Sequence, residues 1–258
     1  MLIREVDPSS EGTRRAKRVA VIADVHGNAP ALRAVLGELA GSEADLFVSL
    51  GDATWGIQPE ETRELLQAVE LPAIFVAGNG ERALRELRDG RDGTARERWM
   101  LDHHSPATYA FLDTFVEHAV VHVDGLGDVR FCHGSPRNDT ELVTPATPEH
   151  RIRAMTEGVP EQVVLTAHTH LQFDRDVAGI RSVNPGSVGM PYAEQPGAFW
   201  ALLGPDVELR RTSYDLEETA RAYRESDDPA ADAMIETLLA PPGPDEVTAH
   251  AEAHEFSE

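Results

Sequence analysis

RVAVIAD (residues 18–24) is a short, nearly unbroken apolar run, rich in valine, that stops on an aspartate. Such a run predicts a strand buried on both faces. HGN then makes a turn, and Pro30 suits the first turn of a helix. Ala31, Leu32, Val35, Leu36 and Leu39 follow at helical spacing. DLFVSL (45–50) repeats the theme and ends in Gly51-Asp52, with a helix expected after Pro59 on Leu65, Leu66 and Val69. PAIFVA (72–77) is a third strand, closed by Gly78-Asn79. Three strand–loop–helix units in succession predict a layered α/β fold. In such sheets sites lie beyond the carboxyl ends of the strands, and all three strands here end in polar groups able to bind a metal.

From 85 to 117 the pattern is helical and charged, carrying Trp99, Met100, Leu101, Tyr109, Phe111, Leu112 and Phe115. It predicts a helical pair broken near Ser105-Pro106. The period then changes. HAVVHV, DVRFCH, QVVLTAH, RSVNPG, AFWALL and VELRRTSY are short segments bounded by Gly, Pro, Asp and Asn, and they predict a second, mixed sheet. Residues 215–239 read as helical. No Pro/Gly linker divides the halves, so one domain over 18–239 with two packed sheets is expected. It is flanked by a flexible arm (1–17) and a flexible acidic tail (240–258).

Charge narrows the partners. Forty-five acidic residues face 23 Lys plus Arg, a formal net charge of -22. A general nucleic-acid binder needs a basic footprint, which is missing. An anionic substrate would need a local positive centre, which bound divalent metals can supply. Cys132 is the one cysteine, so neither an intramolecular disulfide nor a structural thiolate zinc site is expected. The N-terminus does not resemble a signal peptide, and no run of 18 apolar residues occurs. The expected setting is cytoplasmic, without a membrane.

The polar groups at the ends of the apolar runs are Asp24, His26, Asp52, Asn79, His133, His168 and His170. Carboxylate, amide and imidazole suit Mn²⁺, Zn²⁺, Fe or Ni rather than calcium. Asp24 with His26, and His168 with His170, stand two residues apart, which in extended chain puts both side chains on one face. Seven ligands exceed the usual protein share of one metal and match two ions with a bridging carboxylate. Asp52 is the candidate bridge, with Gly51 permitting close backbone approach. Two ions about 3.5–4 Å apart can activate a hydroxide and clamp phosphoryl oxygens. Plainer roles exist: Asp24 and Asp52 as caps, Asn79 as a helix cap, His133 as a turn histidine. Adjacent His103 and His104 on a helix do not share a face and stay outside the ligand set.

The ordered set D24-V-H26-G-N28, G51-D52, G78-N79, H133-G134 and H168-T-H170 resembles the calcineurin-like metallophosphoesterase superfamily. LFVSLGDATWGIQPEE, FCHGSPRND, TAHTHLQFDR and SVNPGSVGMP are similar to its bacterial YfcE-like, or diadenosine-tetraphosphatase-like, branch, over about residues 18–226. The resemblance implies a four-layer α-β-β-α sandwich with two mixed sheets and a dinuclear site, Mn²⁺ favoured. It implies Asp24, His26, Asp52 and His170 on one ion, and Asp52, Asn79, His133 and His168 on the other. It gives Asn28 and the Asn184-Pro185-Gly186-Ser187 loop supporting places near the metals. The chain departs from the pattern at Ala167, where glycine is usual, and at Tyr192, where relatives often carry arginine. The larger departure is Gly80, where many relatives carry a histidine taken as general acid.

Glycine donates no side-chain proton, and general acid catalysis is typically worth about 10²–10⁴-fold. His103, His104 and Glu81 are the candidate substitutes. The alternative is a leaving group stable as an anion. Arg137, four residues after His133, could fork onto a substrate phosphate, and Trp55 could wall a pocket. The expectation is a phosphoesterase for small phosphodiesters or nucleotide-like phosphates, with in-line attack by a metal-bridging hydroxide. Asp52, Asn79, His133 and Arg137 would serve the chemistry. A serine/threonine protein phosphatase or phosphomonoesterase is the second reading, disfavoured by the missing acid because serine is a poor leaving group. A non-catalytic metal- or nucleotide-binding protein is the third; it predicts tight metal binding without turnover. The expected partner is a small phosphate ester, with a homo-oligomer allowed.

Overall fold

The three apolar runs of the N-terminal third lie side by side as parallel strands. The computed structural model describes residues 13–253. In chain order its elements are β1 (Arg14–Ala16), β2 (Val19–Ile22), α1 (Ala29–Leu39), β3 (Leu46–Ser49), α2 (Pro59–Gln67), β4 (Ala73–Phe75), α3 (Asn79–Arg88), α4 (Ala95–His103) and α5 (Pro106–Leu112). Then come β5 (Ala119–Val123), β6 (Gly127–Phe131), α6 (Glu149–Met155), β7 (Val163–Leu165), β8 (Gln172–Val177), β9 (Ile180–Pro185), β10 (Ala198–Leu203), β11 (Val207–Thr212), α7 (Leu216–Glu225), α8 (Ala231–Leu239) and α9 (Pro244–Ala253).

Two mixed sheets result. The five-stranded sheet runs β11-β10-β2-β3-β4, and the six-stranded sheet runs β1-β5-β6-β7-β9-β8. In the first, β2, β3 and β4 are parallel while β10 and β11 are antiparallel. The apolar runs that look uniform in sequence divide by parity. Val19, Val21, Leu46, Val48, Ile74, Ala201 and Leu203 meet Val121, Val129, Phe131, Val163, Leu165 and Val183 of the other sheet. Ala20, Ile22, Phe47, Phe75, Trp200 and Leu202 face the opposite way, onto Leu32, Val35, Leu66, Leu84, Met100 and Phe111 of α1 to α5. On the far side of the second sheet, Phe173 and Val177 pack on Ile152 and Met155 of α6, with Val247 of α9 beside them. Helix, sheet, sheet, helix is the expected α-β-β-α order, and side-chain alternation along each strand produces it.

The structure departs from the sequence reading in four places. AFWALL and VELRRTSY were expected in the second sheet, but β10 joins the first, with Ala201 opposite Val21. Its entirely buried side chains fit a strand covered on both faces. The six-residue β8 has no apolar run to announce it. It is an edge strand in which only Phe173 and Val177 are buried. Of the expected arm, residues 1–12 lie outside the described residues, but Arg14–Ala16 pair in parallel with β5. Of the expected tail, 254–258 lie outside them, but Pro244–Ala253 form α9. Glu252 anchors it, accepting from Thr144 Oγ1 at 2.7 Å, Thr147 Oγ1 at 2.6 Å and Arg151 Nη1 at 2.9 Å. No helix among the described residues is long and apolar enough to cross a membrane.

Candidate metal centre

The polar groups at the strand ends converge. Donor atoms of Asp24, His26 and His170 lie within 4.8 Å of one another, as do those of Asp52, His133 and His168. Asn79 joins the second cluster, its Oδ1 being 2.9 Å from His133 Nε2. Asp52 stands between the two: Oδ1 is 3.7 Å from His133 Nε2, and Oδ2 is 3.8 Å from His26 Nε2. All seven residues expected as ligands therefore come together, with Asp52 between the two groups.

The strands stop short of these residues because the chain curls there. Asp24 (φ 52°), His26 (49°), Asp52 (49°), His168 (65°) and His170 (57°) occupy the left-handed region. The two-residue spacings thus act through paired left-handed residues rather than through extended backbone. Non-glycine residues visit this region rarely, Asn, Asp and His most readily. The backbone around them is bonded across loops to hold the curl. Asp24 N–H donates to Gly51 O at 3.0 Å, and His26 N–H to Asp52 O at 2.9 Å. Ser187 Oγ donates to Asp24 O at 2.7 Å, and Asn184 Nδ2 to Ala167 O at 2.9 Å. Asn28 donates to Gly189 O and Tyr214 Oη and accepts from Thr219 Oγ1. Ser187 and Asn184 of the 184–187 loop thus bond the backbone at Asp24 and just before His168, whereas Asn28 bonds Gly189, Tyr214 and Thr219 instead. Gly51 (φ 97°) is required: a Cβ there would lie 2.5 Å from Gly78 N and 2.9 Å from His133 Nδ1.

Three histidines are oriented from behind. Nδ1 of His26, His133 and His170 faces the carbonyl oxygen of Trp55, Leu50 and Met190, at 3.2, 2.6 and 2.7 Å. A carbonyl only accepts, so Nδ1 carries the proton and Nε2 turns to the cluster, as in metal-ligating histidines. Asp24 is fully buried, and its Oδ1 has no hydrogen-bond partner; His170 Nε2 is 3.3 Å away without alignment for one. An unpartnered carboxylate oxygen beside convergent imidazoles fits a cation.

Electrostatics follow the same crowding. Burial raises the Asp24 carboxyl, but His170, His133 and His26 outweigh it and hold it well below the usual range. Burial raises Asp52. Burial, seconded by His170 and His133 respectively, pushes His26 and His168 down to about 3. Burial also lowers His133 and His170, but Asp52 and Asp24 respectively lead the charges that turn both shifts upward.

The other expected residues are placed elsewhere. Arg137 is exposed and its guanidinium is forked onto Glu141. His103 stacks on Trp99 at 3.9 Å, with Nδ1 on the Trp99 carbonyl. His104 is buried, with Nδ1 on Met100 O at 2.6 Å and Nε2 on Thr54 Oγ1 at 3.0 Å. Neither His104 nitrogen is left to face a leaving group. Glu81 points away from any leaving group as well, into the backbone N–H groups of Gly78, Asp52 and Ala53. The G-N-G-E spacing signals this, since a Glu three residues past a helix N-cap can return to the cap. Tyr192 stacks on His170, centroids 5.3 Å apart and planes 21° apart, so a ring covers that histidine where the resemblance led one to expect a charge.

Known proteins share the sequence pattern and the fold. An uncharacterized protein of Methanocaldococcus jannaschii, MJ0912, is 24% identical over 225 residues, 78% of this chain and 89% of that protein. The solved structure of the hypothetical protein PH1004 from Pyrococcus horikoshii shares the fold, with a TM-score of 0.76 at 20% identity over 89% of this chain and 99% of that one. A metallophosphoesterase from Sphaerobacter thermophilus matches with a TM-score of 0.68 at 26% identity, covering 87% of this chain and 100% of the other. The calcineurin-like phosphoesterase superfamily domain matches residues 18–203, and that stretch holds both clusters and nine of the strands around them, from β2 to β10. The chain belongs to the calcineurin-like phosphoesterase superfamily.

Proposed function

We propose that the protein is a metal-dependent phosphoesterase that binds two divalent cations, Mn²⁺ foremost, and hydrolyses small phosphodiesters or nucleotide-like phosphates. The observation that carries this reading is the pair of three-residue clusters, Asp24/His26/His170 and Asp52/His133/His168, meeting at Asp52. When bound, such a cation pair supplies an activated water and positive charge for the phosphoryl oxygens. The chain's own residues supply the geometry. Asp24, His26 and His170 would hold one cation, Asn79, His133 and His168 the other, and Asp52 both. The backbone carbonyls behind His26, His133 and His170 fix their tautomers and aim.

Substrate class follows from what is missing beside the clusters. Gly80 offers no acid, and both nitrogens of His104 are engaged. A leaving group stable as an anion, such as a phenolate or a nucleotide phosphate, needs no proton from this wall. Serine and other alkoxides do. The test is hydrolysis of an aryl phosphodiester, an aryl phosphomonoester and a phosphoserine peptide with Mn²⁺ added. The diester should be cleaved fastest and the peptide slowest, with Asp52→Asn and chelator each abolishing turnover. Activity indifferent to both treatments overturns the proposal.

A further inference from the structure

Glu81 is 1% exposed. Its Oε2 accepts from Gly78 N–H at 2.7 Å and Asp52 N–H at 2.9 Å, and its Oε1 from Ala53 N–H at 2.9 Å. The first contact is local, one turn of α3. The other two cross 28 and 29 residues of sequence to the loop after β3. The traffic also runs back: Gly80 N–H donates to Asp52 Oδ1 at 2.8 Å. The loops after β3 and β4 are therefore tied in both directions, through the backbone of Asp52 and through its carboxylate. Asp52 needs such a tie, because it sits at φ 49°, where an aspartate is strained unless its surroundings fix it.

We propose that Glu81 is a positioning residue of the metal centre, holding Asp52 in the left-handed conformation that presents one carboxylate oxygen to each cluster. A carboxylate is suited to this because it only accepts, and all three groups it meets are donors. Helix capping alone would need the Gly78 contact and neither of the others. The kinetic part of the proposal rests on the phosphoesterase reading; the metal-binding part does not.

The experiment compares wild type, Glu81→Gln and Glu81→Asp. Glutamine keeps the size but turns an NH₂ toward at least one backbone N–H. Mn²⁺ affinity is measured by calorimetric titration, kcat and KM for an aryl phosphodiester at saturating Mn²⁺, and melting in chelator. Groups that orient metal ligands typically contribute about 10–100-fold in affinity or activity, and E81Q should weaken Mn²⁺ binding within that range. It should lower kcat more than it raises KM, while E81D recovers part of both losses. Wild-type Mn²⁺ affinity in E81Q overturns the proposal, and so does a change confined to melting in chelator. If E81Q does not fold, E81D decides: intermediate weakening supports the proposal and wild-type affinity overturns it. If the wild type hydrolyses no phosphate ester, the phosphoesterase reading fails, while the Mn²⁺ titrations still judge Glu81.

Discussion

His26 Nε2 and His170 Nε2 face each other at 3.0 Å, each ring pinned from behind by a carbonyl. Two lone pairs do not meet at that distance without a proton or a cation between them. Asp24 leads the charges that together outweigh burial and raise His170, whereas burial and His170 lower His26, so without a cation His170 is the more readily protonated of the two. A cation bound there takes the proton's place, so binding releases about one proton and weakens as pH falls. Calorimetric Mn²⁺ titrations in two buffers of different ionisation enthalpy will show the release. His170→Ala should reduce it.

Gly80 is a packing requirement as well as a missing acid. A Cβ there would lie 2.8 Å from Asp52 Oδ1 and 3.4 Å from Trp55 Cβ, and that oxygen is tethered by the Gly80 N–H itself. A histidine placed at this position therefore displaces Asp52. Gly80→Ser and Gly80→His should both weaken Mn²⁺ binding, and G80H should not speed hydrolysis of an alkyl phosphate. Rates across aryl diesters should fall steeply with rising leaving-group pKa in wild type and G80H alike. A shallow dependence in either would show that another group supplies the proton.

His104 ties stability to pH. Burial lowers its pKa below the ordinary 6.5, so the unfolded chain binds a proton more readily than the folded one. Its contribution is fully present above about pH 6.5 and is lost as pH falls toward the folded value. Urea unfolding in chelator should show wild type losing stability between about pH 7 and pH 5 more steeply than His104→Gln.

Removing the Glu252 carboxylate strands Thr144, Thr147 and Arg151. Hydrogen bonds to charged groups contribute roughly 1.5–3 kcal/mol, and partial exposure of this pair favours the low end. Glu252→Ala should lower stability by about 1–3 kcal/mol in urea melts and leave Mn²⁺ affinity unchanged.

The convergent residues were legible because the proposed chemistry needs scarce residue types at the ends of conspicuous apolar runs. Asp24, Asp52 and Asn79 each close a strand whose valines and isoleucines announce it, and the paired histidines at 168 and 170 have few structural uses. The supporting carbonyls of Leu50, Trp55 and Met190 were not legible, because every residue carries one and only the fold selects which is used. β8 was hidden because an edge strand buries two side chains and shows no apolar run. The position of β10 was hidden because pairing partners 180 residues apart, such as Val21 and Ala201, leave no local trace. Arg137 shows the reverse failure: its residue type suits phosphate, but Glu141, four residues on, meets it first.

The left-handed backbone at Asp24, His26, Asp52, His168 and His170 sets folding against binding at the same atoms. Strain of this kind costs of order 1–3 kcal/mol per residue, and glycine alone relieves it. A glycine at Asp24 would delete a donor and also relieve a strained bend, so the metal-free chain should recover some fold stability while it loses affinity. An alanine would lose the donor and keep the bend. Comparing the two substitutions separates how much of each ligand's cost belongs to its side chain and how much to the contortion that aims it.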